Sequence, residues 1–264
     1  MAGEVTTALL LLALMAAVVV ASGSEGDALL GFRATLRGPN GGPPAPLNGW
    51  VTTPGPCSGG NSLWYGVRCS EATGRVLVLE LEYLGLQGPA PNLSVLAALP
   101  GLRSLSLANN NLTRAFPDVS ALPGLRMLYL HGNRLAGRIP DDALAPLRRG
   151  LQKLYLSGNA FTGPIPSSVT LSPRLLELQL SNNGFEGALP DFGQTDLKLV
   201  DFSNNNLSGQ IPPALRRFDA NAFRGDSVMH GQQRTLRPTT QCFVSHGACT
   251  TLPTAGSTAI AMTG

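Results

Sequence analysis

Charge is scarce in this chain. Only 13% of its 264 residues are Asp, Glu, Lys or Arg, and the formal net charge is +3. Lys153 and Lys198 are the sole lysines; the remaining positive charge is arginine scattered along the length. Read linearly, that is a solvated surface rather than a basic stripe, and it argues against a nucleic-acid groove or a polybasic membrane patch. Histidine is rarer still, with three copies and none beside Cys57 or Cys69. A zinc site needs four ligands, so no metal is expected, and no cofactor. Long apolar runs are also missing. Residues 8–21, ALLLLALMAAVVVA, fall short of the ~20 residues that span a bilayer comfortably, and small residues Ala21, Ser22 and Gly23 follow them. A cleaved signal peptide over 1–23 is the expectation. Against it, Glu4 precedes the run and no Lys or Arg does, so a retained anchor is the alternative.

What the chain has instead is repetition. Copies of L-x-x-L-x-L-x-x-N-x-L-x-G-x-I-P start at Val76, Leu102, Leu125, Leu151, Leu175 and Leu197. A period in the range of about 20–29 residues with this leucine pattern specifies a leucine-rich-repeat solenoid. The L-x-L pair alternates with period two, as a strand does when one face is buried. No coil can bury its leucines alone; stacking does it, at ~25 cal/mol per Å² of apolar surface. The expected fold is six repeats with short parallel strands on the concave side. The Gly-x-Ile-Pro endings (Gly137 to Pro140, Gly163 to Pro166, Gly209 to Pro212) disfavour long convex helices and favour 3₁₀ or extended pieces.

The ninth position holds Asn110, Asn133, Asn159, Asn183 and Asn205, with Leu84 in the first copy. An inward amide there can satisfy backbone groups of the bend, so these asparagines read as structural.

Ahead of the repeats, Asp27 is expected to cap a short helix, DALLGFRATL, with Leu29, Phe32 and Leu36 on one side. Trp50 and Trp64 follow and should form the core of a cap. Four cysteines suit an oxidising compartment. A Cys57–Cys69 disulfide just before the first coil would pin that cap, contributing about 3 kcal/mol by loop closure. The other two, Cys242 and Cys249, could pair as a remnant of a C-terminal cap. Sequons at Asn92, Asn111 and Asn206 are candidate glycan acceptors, although N-L-S and N-L-T also arise from the repeat consensus.

DALLGFRATL, Trp50, Cys57, WYGVRC ending at Cys69, and GRVLVLELEYLGLQG together resemble the N-terminal cap of plant leucine-rich-repeat receptor-like kinases. LRSLSLANNNLTRAFPDVSAL, LRMLYLHGNRLAGRIPDDA, LQKLYLSGNAFTGPIPSS, LLELQLSNNGFEGALPDF and FDANAFRGD are similar to the short ectodomains of the pollen receptor-like kinases, over residues 27–225. That resemblance implies recognition of secreted, often cysteine-rich peptides at the pollen tube surface, possible co-receptors, and output through a kinase-like domain and partners that control small GTPases. The family would continue past Gly225 with an N-x-x-L-C-G-x-P-L cap, a membrane helix and a kinase domain. Here DSVMHGQQRTLRPTTQCFVSHGACTTLPTAGSTAIAMTG follows instead. It has no apolar run of about 18 residues, and no V-A-I-K, H-R-D or D-F-G for phosphoryl transfer. The expected organisation is therefore a signal peptide over 1–23, the cap over 24–75 and the solenoid over 76–225. A divergent tail without packed structure covers 226–264, and the ending fits a truncated, spliced or frame-shifted product.

Strand positions between inward leucines face the concave side. The middle column is Glu80, Ser106, Tyr129, Tyr155, Gln179 and Asp201. Beside it run Met127, Lys153, Glu177 and Leu199, with Glu82, Tyr83 and His131 opposite. Tyrosine brings large contact area with few rotors to freeze, although exposed strands also favour it. Acids at both ends of the face (Glu80 and Glu82; Glu177 and Asp201) would favour a basic peptide. Read as a general acid/base pair, the same carboxylates lack a pocket to tune them, so no enzyme activity is expected. His131 is expected at the surface, with pH sensing at an acidic cell wall as the alternative. The functional expectation is a non-enzymatic, extracellular recognition module for a peptide or small protein, located in the apoplast, or at the plasma membrane if a longer form carries a membrane helix. A secreted decoy or inhibitor of a peptide or cell-wall enzyme, and a fragment of a membrane receptor kinase, are the alternatives.

Overall fold

The computed structural model describes residues 24–58, 61–225 and 228–230, the last three as backbone. The 1–23 segment, Cys242, Cys249 and most of the tail lie outside the described residues. Each L-x-x-L-x-L becomes a short strand. Val76–Glu80, Ser104–Ser106, Met127–Tyr129, Lys153–Tyr155, Glu177–Gln179 and Leu199–Asp201 lie side by side and parallel. Leu79, Leu105, Leu128, Leu154, Leu178 and Val200 are in register across this ladder, and all are buried.

The Gly-x-Ile-Pro region goes further than an isolated extended segment. Gln87–Pro89, Asn111–Arg114, Arg134–Arg138, Ala160–Gly163, Gly184–Gly187, Asn206–Gln210 and Val228–His230 form a second parallel ladder. Short 3₁₀ turns such as Ala145–Leu147, Ser167–Val169 and Pro213–Leu215 complete the coils. Val228–His230 pairs with Asn206–Gln210, so the stack continues past the Gly225 boundary that the repeat pattern suggested. Phenylalanines fill the interior of the later coils: Phe161 stacks on Phe185 at 6.1 Å, and Phe202 on Phe223 at 5.8 Å.

The asparagine column works between coils. Asn110 Oδ1 accepts from the N–H groups of Leu84 and Leu86, both at 3.0 Å and both one coil earlier. Its amide donates to the carbonyls of Leu81, Leu107 and Ala108. Asn133, Asn159, Asn183 and Asn205 repeat this towards Leu112, Leu135, Phe161 and Phe185. Each asparagine thus serves its own bend and the coil before it. Leu84 stands where no coil precedes, so the between-coil part of this role falls away there. Between these bends Gly132 has φ +65°, and a Cβ there would run into Asn109 Oδ1.

The cap is built as expected apart from its first turn. The helix spans Glu25–Thr35, and Ser24, not Asp27, is its N-cap. Asp27 occupies the third helical position and accepts back from Ser24 N at 3.0 Å, a reciprocal capping box. The glutamate before the quoted motif is also functional in the fold: Glu25 Oε2 accepts from Val76 N at 2.9 Å, tying helix to solenoid. Leu29, Phe32 and Leu36 are buried. Trp50 stacks on Trp64 at 5.4 Å, and each indole N–H finds a carbonyl, of Tyr65 and Pro54 respectively. Cys57 and Cys69 are disulfide-bonded. Val67–Cys69 then pairs antiparallel with Val76–Glu80 and closes the ladder edge, which would otherwise invite pairing with another chain.

Candidate functional site

The register places the middle column as one continuous row: Glu80 beside Ser106, then Tyr129, Tyr155, Gln179 and Asp201. Met127, Lys153, Glu177 and Leu199 form the neighbouring row. These residues share a face because the leucines between them point inward.

At the centre of the face the structure builds an aromatic cluster. Tyr129 and Tyr155 meet edge to face, 5.0 Å between centroids at 89°, the favourable geometry for two ring quadrupoles. His131 leans on both, at 6.4 Å from Tyr129 and 5.9 Å from Tyr155. This contact half-buries both tyrosines and the histidine, where the strand pattern alone suggested exposed side chains. Only Tyr83 of the three face tyrosines stands free in solvent, 77% exposed and in a left-handed turn at φ 56°.

Glu177 ties the cluster down. It accepts from the Tyr155 hydroxyl and, at 2.8 Å, from Lys153 Nζ. Burial pushes its carboxyl up, but the hydrogen bonds from Lys153 and Tyr155 outweigh that and hold it below the usual carboxylate range. Lys153 is raised, chiefly by the same bond. Burial, reinforced by the bond to Glu177, drives the Tyr155 hydroxyl well above its ordinary value. Burial also raises Tyr129. For His131 burial lowers the pKa, with Glu82 opposing, and its Nδ1 is buried without a hydrogen-bond partner.

The acids at the ends of the face are also engaged. Glu80 pairs with Arg68 of the cap. Glu82 accepts from the Ser106 hydroxyl at 2.5 Å. Asp201 accepts from the Ser203 hydroxyl at 2.6 Å and from Ser203 N at 3.0 Å. Arg68 thus neutralises Glu80, whereas serine orients Glu82 and Asp201 without cancelling their charge. Glu80, Glu82 and Tyr83 border, with Tyr65 and Gly66, a shallow cavity of about 490 Å³. Tyr65 and Arg68 were missed as face residues because they come from the cap. Only the antiparallel pairing of Val67–Cys69 brings them to the ladder edge.

Glu177, held ionised by a lysine and a phenol, is poorly suited to donate a proton as a general acid. Among the described residues no group of three or more His, Cys, Asp or Glu side chains could hold a metal. Nor, among them, is any helix long and apolar enough to cross a membrane. Asn92, Asn111 and Asn206 are all exposed, and Asn92 Oδ1 also caps the turn Leu93–Ala98 by accepting from Ser94 N at 2.9 Å.

Comparison with known proteins agrees with this fold. The leucine rich repeat N-terminal domain matches residues 22–70, and leucine rich repeat models match 100–148, 150–171 and 196–218. Pollen receptor-like kinase 4 of Arabidopsis thaliana is 41% identical over 87% of this chain, which spans 32% of that protein. The chain thus covers about a third of the length of the curated relative it matches. A crystal structure of a pollen receptor kinase 3 superposes with a TM-score of 0.64 and 34% identity, covering 72% of this chain and 90% of that one. The Arabidopsis receptor kinase HAESA, solved in complex with the peptide hormone IDA and the co-receptor SERK1, superposes at 0.59 with 29% identity, over 73% of this chain and 35% of that one. With its repeats, its disulfide-bonded cap and these likenesses taken together, the chain belongs to the plant leucine-rich-repeat receptor-like kinases, of the pollen receptor-like kinase type.

Proposed function

We propose that this chain recognises an extracellular peptide on its ladder face, with the Tyr129–Tyr155–His131 cluster as anchor. The observation that carries the reading is the pre-set pair of rings. Two tyrosines already locked edge to face, with one hydroxyl fixed by Glu177, lose little side-chain freedom on binding. The solved HAESA complex, in which a related ectodomain holds a peptide hormone beside a co-receptor, makes a peptide the natural class of ligand and a second ectodomain a natural partner.

The chemistry of the face defines the peptide further. Lys153 and Glu177 neutralise one another, so the centre favours an apolar or aromatic side chain seated on the rings. The cap end is different. Tyr65, Tyr83 and Glu82 line a cavity in which a cationic side chain would meet ring faces and the Glu82 carboxylate, Glu80 being taken by Arg68. The test is selection of peptides from a displayed library of secreted, cysteine-rich sequences against the full chain, followed by binding to Tyr129→Ala/Tyr155→Ala. Loss of about 2 kcal/mol or more, the size of an interface hot spot, is expected. Selected peptides that bind the double variant equally well would move the site off this face.

A further inference from the structure

The arginines that look scattered in the sequence are gathered by the coil register. Along the edge where the chain enters each strand, equivalent residues hydrogen-bond from coil to coil. Arg103 N donates to Leu77 O, Arg126 N to Arg103 O, Gln152 N to Arg126 O, Leu176 N to Gln152 O and Lys198 N to Leu176 O, at 2.7–2.9 Å. Arg75, Arg149 and Arg174 lie within three residues of this row on the coils where it lacks a cation. The row itself thus carries Arg103, Arg126 and Lys198, with the exposed Arg75, Arg149 and Arg174 as chain neighbours on the other coils.

Glycines flank the first part of this row: a Cβ on Gly101 would meet Val76 O at 2.7 Å and Arg75 Cβ at 3.1 Å, and one on Gly124 would meet Arg103 Nη1 at 2.8 Å. Arg75 meets Glu25 at 4.0 Å, and Arg103 turns Nη1 to the carbonyls of Pro100 and Leu102. The ion pairs of the described residues involve none of Arg103, Arg126, Arg149, Arg174 or Lys198. Glu71 and Asp196 are exposed acids within four residues of Arg75 and Lys198 along the chain, and Glu177 feels the charge of Lys198. Between Arg75 and Arg103 lies a cavity of about 500 Å³, also lined by Ser70, Thr73, Leu77 and Pro100.

We propose that this flank binds a linear acidic polysaccharide of the polyuronate class, with one uronate seated between Arg75 and Arg103. Two guanidinium groups suit a carboxylate, the hydroxyls of Ser70 and Thr73 suit sugar hydroxyls, and Leu77 and Pro100 suit the apolar face of a pyranose ring. The hydroxyls of Ser70 and Thr73 beside the two arginines favour a hydroxyl-rich chain over an acidic peptide. The site is separate from the ladder face, so it does not depend on the peptide reading.

The experiment measures binding of the full chain to a defined oligogalacturonide, to its methyl ester, to polyglutamate of matched charge, and to phosphatidylserine vesicles. Selective binding to the free-acid oligosaccharide is expected, weakening as salt rises. Arg103→Gln/Arg126→Gln/Arg174→Gln should reduce that affinity about tenfold or more. Arg138→Gln, on the second ladder and paired with Asp141, should not, and neither should Tyr129→Ala/Tyr155→Ala. Circular dichroism would verify that each variant is folded. No binding of the oligogalacturonide, equal binding of its methyl ester, equal binding by the triple variant, or preference for polyglutamate or vesicles would each overturn the proposal.

Discussion

Tyr129 and Tyr155 stand edge to face on neighbouring strands, 5.0 Å between ring centroids, because the coil register sets them side by side. On a parallel ladder, equivalent positions of successive coils are always neighbours, so one tyrosine shapes the rotamer of the next. Glu177, on the following strand, then fixes the second hydroxyl. A face assembled in this way is set by its own contacts, and its geometry depends on the stack beneath it.

That dependence can be measured at Asn110. Asn110→Ala removes five hydrogen bonds and leaves buried N–H groups of Leu84 and Leu86 without their acceptor. A loss of about 3 kcal/mol is expected from urea denaturation, since each orphaned buried group costs roughly 1–3 kcal/mol. Asn92→Ala, which removes a single exposed turn cap, should cost about 1 kcal/mol or less. Equal costs would show that the amide column does not hold the coils.

The cap offers its own reporter, because Trp50 and Trp64 are the chain's two tryptophans and both are buried there. Cys57→Ser/Cys69→Ser should destabilise the cap by about 3 kcal/mol through loss of a short closed loop. Tryptophan fluorescence should then shift to the red at lower denaturant than the far-ultraviolet signal of the ladders. Coincident transitions in the variant would mean that cap and coils unfold as one unit without the bridge.

Acidification should weaken the face in two stages. Burial holds the folded-state pKa of His131 below its ordinary value, so below about pH 6.5 the unfolded chain takes up this proton first. Stability is full above that pH and is lost as pH falls towards the lowered folded value. Glu177, also depressed, acts in the same direction at lower pH: its contribution is present above the ordinary carboxylate range and lost as pH falls through its lowered value. Urea midpoints measured between about pH 8 and pH 5 should fall less steeply in His131→Gln than in the wild type. Identical slopes would remove His131 from the account.

Much of this was legible in the sequence. The repeat gave strand positions and columns directly, because inward leucines at fixed spacing leave only one face for Glu80, Tyr129, Tyr155 and Gln179. The role of Leu84 required the structure, since it depends on each asparagine serving the coil before it. The half-burial of Tyr129 and Tyr155 likewise depends on rotamers that spacing does not specify. Tyr65 and Arg68 reach the ladder edge only through pairing between cap and first coil. The basic flank was hidden for a related reason: Arg103, Arg126 and Lys198 are far apart along the chain, and only stacking brings them into one row.

The most direct test of the peptide reading is amide hydrogen exchange on the full chain, with and without a library-selected peptide. New protection should centre on Met127–Tyr129, Lys153–Tyr155 and Glu177–Gln179 and extend towards Glu80. Protection confined to the second ladder or the Ala145–Leu147 and Ser167–Val169 turns, with none on these strands, would contradict it.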